Sequence, residues 1–384
     1  YLCHGHVAQG IPFDDVFNVI SKRYLELAEE LSVSINVASY LIEIKKNIEA
    51  GATADYTASR GEYLNGLILA DYLNFKFVDA AEVIFFDKYG NLDSEKTQDV
   101  INKRLSNIEN AVIPGFYGST YNGFLKTFSR GGSDITGAIV ARGVNASLYE
   151  NWTDVSGFLM ADPRIVENPK PIEKITYREL RELSYMGATV LHEDAIFPVR
   201  KAGIPINIKN TNIPSDPGTL IINDLEPTAY GGTITGVAGK KDFTVIAIEK
   251  AMLNAELGIG RKLLTILEAH SVSFENMPSG IDSICLVIED SQLENKLDLI
   301  IDDIKRQCKP DSIDVYPNMA LIATVGRGML KTKGIAGKIF KSLADNDINI
   351  RMIDQGSSEI NIIIGVENID FENAIKSIYN AFAG

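Results

Sequence analysis

Residues 262–288, KLLTILEAHSVSFENMPSGIDSICLVI, can be laid without a gap on residues 338–364, KIFKSLADNDINIRMIDQGSSEINIII, at a constant offset of 76 (338 minus 262). Leu263/Ile339, Leu267/Leu343, Val272/Ile348, Gly280/Gly356, Ile284/Ile360 and Ile288/Ile364 agree in type. A self-similar stretch of this kind is the signature of a duplicated supersecondary unit whose copies bury the same apolar positions. Each copy reads as strand, Gly-rich turn, helix, strand, turn, strand. Any two βαββ units look alike in outline, but a gapless match of this length favours duplication.

Such units resemble ACT domains, small regulatory modules that pair their sheets and hold amino acids at the seam. The resemblance implies two ferredoxin-like (βαββαβ) ACT domains over residues 226–384, the first at about 243–316 and the second at about 230–241 plus 318–384. Glu226-Pro227 and Gly231-Gly232 mark the linker ahead of them, in a composition change over Leu225–Thr233. The first copy carries the more specific loop, His270–Glu275 followed by Pro278–Asp282. An effector amino acid is expected there. Glu275 or Asp282 would meet its ammonium, Gly258 and Gly260 would leave space and N–H groups for its carboxylate, and Ser273, Phe274, Ser279 and Gly280 would complete the seat. The second copy has Asn349, Arg351 and Ser357 instead, so the two need not bind the same ligand.

Residues 1–225 read differently. From Val7 to Leu73 apolar residues recur at helical steps, Val16, Val19, Ile20, then Tyr24, Leu27 and Leu31. Short β-rich runs follow at Phe75–Asp79, Ala81–Phe86 and Ala111–Pro114, with a helix over Thr97–Leu105. A helix is expected from about Ser133, a strand over Ser147–Asn151, and a further helix from Thr176. There Thr176 and Glu179 fit a capping box, and Tyr177, Leu180 and Leu183 face inward. Ile204, Ile206 and Ile208 alternate as a strand should, and Asp216-Pro217-Gly218 turns the chain into Thr219–Ile222. Strands alternating with helices imply an α/β domain with a mostly parallel sheet covered on both faces.

Composition limits the partners. A formal charge of −14 argues against a general affinity for nucleic acid or anionic membrane. No apolar run approaches the ~20 residues that cross a bilayer. Cys3, Cys285 and Cys308 share no metal-ligand or redox spacing, which suits a reducing, cytoplasmic setting. His4-Gly5-His6 lacks a third ligand nearby, so no protein-held metal is expected.

The most informative chemical segment is Thr127-Phe128-Ser129-Arg130-Gly131-Gly132-Ser133-Asp134-Ile135-Thr136-Gly137. Its glycines allow a tight turn and close approach to a ligand, and Ser133 or Asp134 can cap the following helix. Exposed N–H groups at a helix start attract anions, and Arg130 offers a planar fork for a carboxylate. A Gly-Gly turn beside a surface arginine explains the same residues on local grounds. Trp152-Thr153-Asp154-Val155 and Asp162-Pro163-Arg164 sit where strands end, the usual place for ligands in such sheets. Glu62, in Ser59-Arg60-Gly61-Glu62, reads locally as a first-turn charge and otherwise as an acceptor for a substrate ammonium.

With these runs stand Ile113-Pro114-Gly115-Phe116-Tyr117-Gly118-Ser119, Gly187-Ala188-Thr189-Val190-Leu191-His192, Ile204-Pro205-Ile206, Lys209-Asn210-Thr211 and Gly218-Thr219, in that order along the chain. Together, ahead of a duplicated ACT region, they resemble the aspartokinases over nearly the whole chain. The resemblance implies an amino-acid-kinase-like three-layer sandwich over residues 1–225. It also implies transfer of the γ-phosphate of ATP, with Mg2+, to the side-chain carboxylate of L-aspartate. Arg130 would bind a carboxylate of aspartate and Glu62 its ammonium, while Phe116, Tyr117 and Gly118 would line the pocket. Asp134 would organise the catalytic end. Thr153, Asp154, Arg164, Thr189 and Val190 would contact the nucleotide. Feedback inhibition by lysine, with threonine as runner-up, and a homodimer or dimer of dimers through the ACT domains would follow.

The sequence departs from the family at Thr189, where most members carry lysine, and at Leu159, where an aromatic is common. The family's N-terminal Lys-x-Gly-Gly-Ser/Thr motif does not occur in it. The chain opens at Tyr1 without methionine, so residues upstream are expected, and a polypeptide starting at Tyr1 is expected to be inactive. Because it stops just after the second copy, a fused dehydrogenase is not expected. The chemistry suits the residues. An aspartate side chain with a pKa near ~3.9 is already a nucleophile at neutral pH, so positioning and charge stabilisation are what the protein must supply. A sister amino-acid kinase and a non-catalytic amino-acid sensor are the alternatives.

Overall fold

The computed structural model describes residues 1–188, 193–223 and 232–383. Thr189, Val190 and most of the expected linker therefore lie outside the described residues. The chain divides into two compact units, one of Tyr1–Val155, Leu191–Asp216 and Leu220–Asn223, the other of Ser156–Val190, Pro217–Thr219 and Asp224–Gly384.

The first unit opens with α1 (Leu2–Ala8), α2 (Asp14–Glu30), α3 (Val37–Glu49) and α4 (Ala54–Leu73). Their shared core holds Phe13, Phe17, Leu41, Ile44, Ile48, Leu64 and Ile68. The expected inward face of α2 is corrected. Val19 is 72% exposed and Ile20 38%, whereas Phe17 is 5% exposed. The Phe13 and Phe17 rings pack edge to face, centroids 6.0 Å apart, and this bulkier pair turns α2 so that Val19 points to solvent. Helix α4 begins at Ala54, because the Thr53 side chain caps it by accepting from Tyr56 N. Glu62 thus lies inside the helix, not in its first turn. The helix passes through Gly61, where the Tyr24 hydroxyl donates to the Gly61 carbonyl at 2.9 Å.

The chain continues as β1 (Lys76–Phe77), α5 (Ala80–Val83), β2 (Phe85–Phe86), α6 (Ser94–Leu105), β3 (Ala111–Val112), β4 (Tyr117–Thr120), β5 (Leu125–Thr127), α7 (Gly132–Gly143) and β6 (Tyr149–Thr153). Residues 81–86, expected as one strand, begin as helical α5 because Asp79 caps Ala81 N. Strands β1 and β3 pair in parallel, as do β2 and β4, while β4 and β5 form an antiparallel hairpin. After β7 (Lys174–Thr176), α8 (Tyr177–Tyr185) and α9 (Glu193–Ala202), strand β8 (Ile206–Asn210) pairs in parallel with β6, Tyr149 opposite Ile206 and Thr153 opposite Asn210. That register puts β6 two residues later than expected, so Trp152 and Thr153 stand on the strand. Strand β9 (Thr219–Ile222) lies next to β8.

In the second unit α8 has both halves of its capping box, Thr176 to Glu179 N and Glu179 back to Thr176 N. Tyr177, Leu180 and Leu183 are buried beneath it, at 4% exposure or less. Then come β10 (Gly236–Glu249), α10 (Ile259–Ala269), β11 (Ser283–Glu289), α11 (Asp290–Leu293), α12 (Leu297–Cys308), β12 (Ser312–Val325), α13 (Ile335–Ala344), β13 (Met352–Asp354), β14 (Asn361–Glu367) and α14 (Phe371–Ala383). One sheet runs β11-β10-β12-β14-β13. Strands β10 and β12 pair with each other along most of their lengths, with a register shift between Lys240 and Phe243. Strand β11 takes the Phe243–Glu249 half of β10, and β14 takes the Met319–Val325 half of β12. Two cores result, one around Ile246, Leu263, Leu286 and Ile300, the other around Ile322, Ile339, Ile364 and Ile378.

The duplication extends to the backbone. Gly258 and Gly334, 76 apart, both cap their helices in the left-handed region, at φ +81° and +88°. Ser271 and Asp347, the same distance apart, follow the helices at φ +52° and +55°. One expectation fails. In the first copy the strand after the helix is reduced to isolated bridges, Asn276–Val287 and Ser279–Ile284, where the second copy has β13. Pro278 interrupts it, since proline has no N–H to give a ladder.

Candidate active site

The turn from Phe128 to Gly132 is locked to the loop around Phe116. Phe128 N donates to the Phe116 carbonyl at 2.9 Å. Phe116 N donates to Thr136 Oγ1 at 3.1 Å, and that hydroxyl donates to the Gly132 carbonyl at 2.8 Å. The expected cap by Ser133 or Asp134 is corrected: Gly131, at φ +57°, is the N-cap and no side chain covers the helix start. A Cβ on Gly132 would lie 2.7 Å from that of Phe116, so only glycine lets the two segments meet. The leading N–H groups of α7 thus have no side-chain cap, the arrangement that favours an anion. Arg130, exposed, stands just before them.

Asp134 lies in the first turn of α7, half-buried, and its Oδ1 accepts from Asn151 Nδ2 at 2.9 Å. The Tyr149 hydroxyl donates to the Asp134 carbonyl at 3.2 Å, and burial pushes the pKa of that phenol up. Helix α7 and strand β6 are therefore held together at the carboxylate. Phe116 is half-buried with φ +57°, whereas Tyr117 is fully buried and its hydroxyl donates to Asp79 Oδ1 at 2.7 Å. A Cβ on Gly118 would sit 2.5 Å from the Ile84 carbonyl oxygen. Of the three expected pocket residues, then, Phe116 keeps an exposed face and the other two form the wall behind it. Glu62 comes from α4, whose start is tied to β5 by Thr127 Oγ1 donating to Asp55 at 2.6 Å.

At the end of β6 the Thr153 carbonyl accepts from both Thr211 N, at 2.8 Å, and Thr211 Oγ1, at 2.9 Å. Asp154 beside it is exposed. The Lys209 ammonium lies 5.4 Å from the Trp152 ring centroid, on the partly open edge of the same strands. Arg164 belongs to the other unit. It is exposed and grips Asp162, Nη2 to Oδ2 at 2.6 Å, and the guanidinium holds that carboxyl below its ordinary range.

In the first ACT copy Gly258 caps α10 and Gly260 has open space beside it. Ser273, Phe274, Ser279, Gly280 and Asp282 are exposed, and Asp282 Oδ1 accepts from Met252 N at 2.7 Å. Glu275 is half-buried and hydrogen-bonds Tyr185 at the end of α8. Burial, then that bond, pushes the Tyr185 phenol up to about 12. Sequence reasoning missed Tyr185, Asp79 and the role of Arg60. Of the three, Arg60 alone stood in a run already considered for binding.

The model of the amino acid kinase family matches residues 20–210, and an ACT domain model matches 322–382. Aspartokinase 3 of Bacillus subtilis is 35% identical over 96% of this chain and 84% of its own length. The crystal structure of Clostridium acetobutylicum aspartate kinase, described as an allosteric enzyme, is 68% identical, with a TM-score of 0.91 over 100% of this chain and 88% of that one. Escherichia coli aspartokinase III is 25% identical in its complex with aspartate and ADP, TM-score 0.65, covering 95% and 86% of the two chains. Its complex with lysine and aspartate gives 0.68 over 96% and 84%. On this agreement along both units, the chain belongs to the aspartokinase family: it is an aspartate kinase with an amino-acid-kinase fold followed by ACT domains.

Proposed function

We propose that aspartate is held between Arg130 and Glu62, with its reacting carboxylate directed at ATP near the start of α7. The observation that carries this is the uncapped, glycine-built N-terminus of α7 locked to the Phe116 loop. Substrate and phosphate are both anionic, so the work lies in holding them together. Arg130 supplies a forked donor for the α-carboxylate, and the free N–H groups of α7 favour the charge that develops on the transferring phosphoryl group. No general base is required of the protein. Asp134, clamped by Asn151, keeps the catalytic end in place. Thr153 and Asp154, with Thr189, Val190 and Arg164, are assigned to the nucleotide.

Mg2+ carried by ATP would offset the charge of the phosphates. Such an ion keeps most of its waters and needs only one or two protein carboxylates, a demand Asp134 can meet through its second oxygen. Gly258, Gly260, Ser273, Phe274, Glu275, Ser279, Gly280 and Asp282 are assigned to lysine, which the E. coli relative binds. A cavity of about 320 Å3 at the equivalent turn of the second copy, lined by Lys331, Gly334, Gln355 and Glu359, favours a second reading in which that copy holds the effector. We assign residues 1–225 to catalysis and 226–384 to regulation, with paired ACT copies joining two or four subunits. The unpaired cysteines fit the cytoplasm.

The test is steady-state kinetics of Arg130→Ala. Its KM for aspartate should rise roughly tenfold to a hundredfold, the loss of one charge-assisted bond, with KM for ATP little changed. An unchanged KM for aspartate would remove Arg130 from the site.

A further inference from the structure

Arg60 is 8% exposed, and among the described residues no carboxylate lies within the 4 Å of an ion pair. Its Nε and Nη2 both donate to the neutral Ser59 hydroxyl, at 3.3 and 3.1 Å. What surrounds it is aromatic. The guanidinium carbon lies 4.4 Å from the centroid of Tyr63, 4.8 Å from Tyr56 and 5.3 Å from Tyr117. Burying a charge without a counter-ion is costly, and here three ring faces take the place of the missing anion.

Tyr117 is held at both ends. Its hydroxyl donates to Asp79, whose other bond caps α5, and its face meets Arg60. Donation to a carboxylate enriches the ring in electrons and strengthens its attraction for the cation. The Phe116 ring packs edge-on against Tyr117, centroids 6.0 Å apart, and the backbone of Phe116 carries the bonds to Phe128 and Thr136 described above. Arg60, Tyr117 and Phe116 thus form a continuous chain from the interior of α4 to the backbone of Phe128 and the first turns of α7.

We propose that Arg60 is a positioning residue of the aspartate pocket, fixing the Phe116 loop through the cation–π contact of its guanidinium with Tyr117. This rests on the placement of aspartate between Arg130 and Glu62, beside the Phe116 loop. A broad, delocalised guanidinium can contact three rings at once, whereas an ammonium is a compact, strongly hydrated point charge. Lysine should substitute for it in part and glutamine poorly.

The experiment compares Arg60→Lys, Arg60→Gln, Tyr117→Phe and the double variant R60K/Y117F in the intact enzyme, with Arg130→Ala run beside them. KM for aspartate should rise about fivefold in Arg60→Lys and Tyr117→Phe and further in Arg60→Gln, while KM for ATP stays within about twofold. The double variant should be less impaired than the product of the single effects, because both loosen one ring. Arg60→Lys and Tyr117→Phe decide the matter if Arg60→Gln does not fold. An aspartate KM unchanged in both, or a fall in melting temperature with both KM values unmoved, overturns the proposal. If Arg130→Ala leaves the aspartate KM unchanged as well, the pocket itself is misplaced.

Discussion

Arg130 stands exposed at a helix start built from two glycines, where a single side chain can decide what is bound. Arg130→Lys should therefore recover little of what Arg130→Ala loses, since a point charge cannot make two parallel bonds to a carboxylate. An aspartate KM for Arg130→Lys equal to that of the unaltered enzyme would contradict this. Charge acts differently at Glu256, which bridges Lys250 and Lys262, the latter at 2.8 Å. Lys250 first and Lys262 second draw its pKa down to about 2 from an ordinary 4.5. A carboxyl depressed on folding stabilises above its unfolded pKa and loses that contribution as pH falls through the folded one. The difference in melting temperature between the unaltered protein and Glu256→Gln should thus be present at pH 7 and shrink between pH 4.5 and about 2. A difference that grows on acidification would refute it. The chemical identities of Arg130, Asp134 and Glu62 were legible because forked donors and carboxylates announce what they can bind. The cage around Arg60 was not. It needs Tyr117, far along the chain, and no local pattern brings that ring to α4.

Elements here owe their positions to close backbone approaches. Gly118 is the sharpest case, because an added Cβ would lie 2.5 Å from a carbonyl oxygen of the segment leading into β2. Gly118→Ala should lower unfolding stability by roughly 1–3 kcal/mol, the usual toll of overpacking, as read from denaturant melts. A melt indistinguishable from that of the unaltered protein would show that the segments separate freely. The capping box of α8 was legible since its residues are neighbours in sequence. Helix α4 runs unbroken through Gly61, whose carbonyl accepts from the Tyr24 hydroxyl, a contact between segments 37 residues apart that no local pattern announces. The rotation of α2 was misread for a related reason. Val19 and Ile20 suit a helical stripe, but the Phe13–Phe17 pair takes the core.

At the scale of the molecule, the second unit is a duplicated fold built on two shared strands. A 76-residue offset was visible because both copies must bury the same positions and turn at the same glycines. That β10 and β12 each serve both halves was less visible, as strand pairing leaves no mark in a single segment's periodicity. An effector that favours an inactive arrangement must bind it better than the active one. If lysine binds the first copy, Glu275→Gln and Ser279→Ala should raise the lysine concentration for half-inhibition by about tenfold or more. Inhibition unchanged in both, but weakened by Lys331→Ala, would move the seat to the second copy. Within the intact enzyme, this chain phosphorylates the side-chain carboxylate of aspartate. The direct measurement is hydroxylamine trapping of the acyl phosphate, with ATP and either aspartate or glutamate as acceptor. A hydroxamate, with matching ADP release, is expected from aspartate and little from glutamate; equal trapping from glutamate, or none from aspartate, would contradict this assignment.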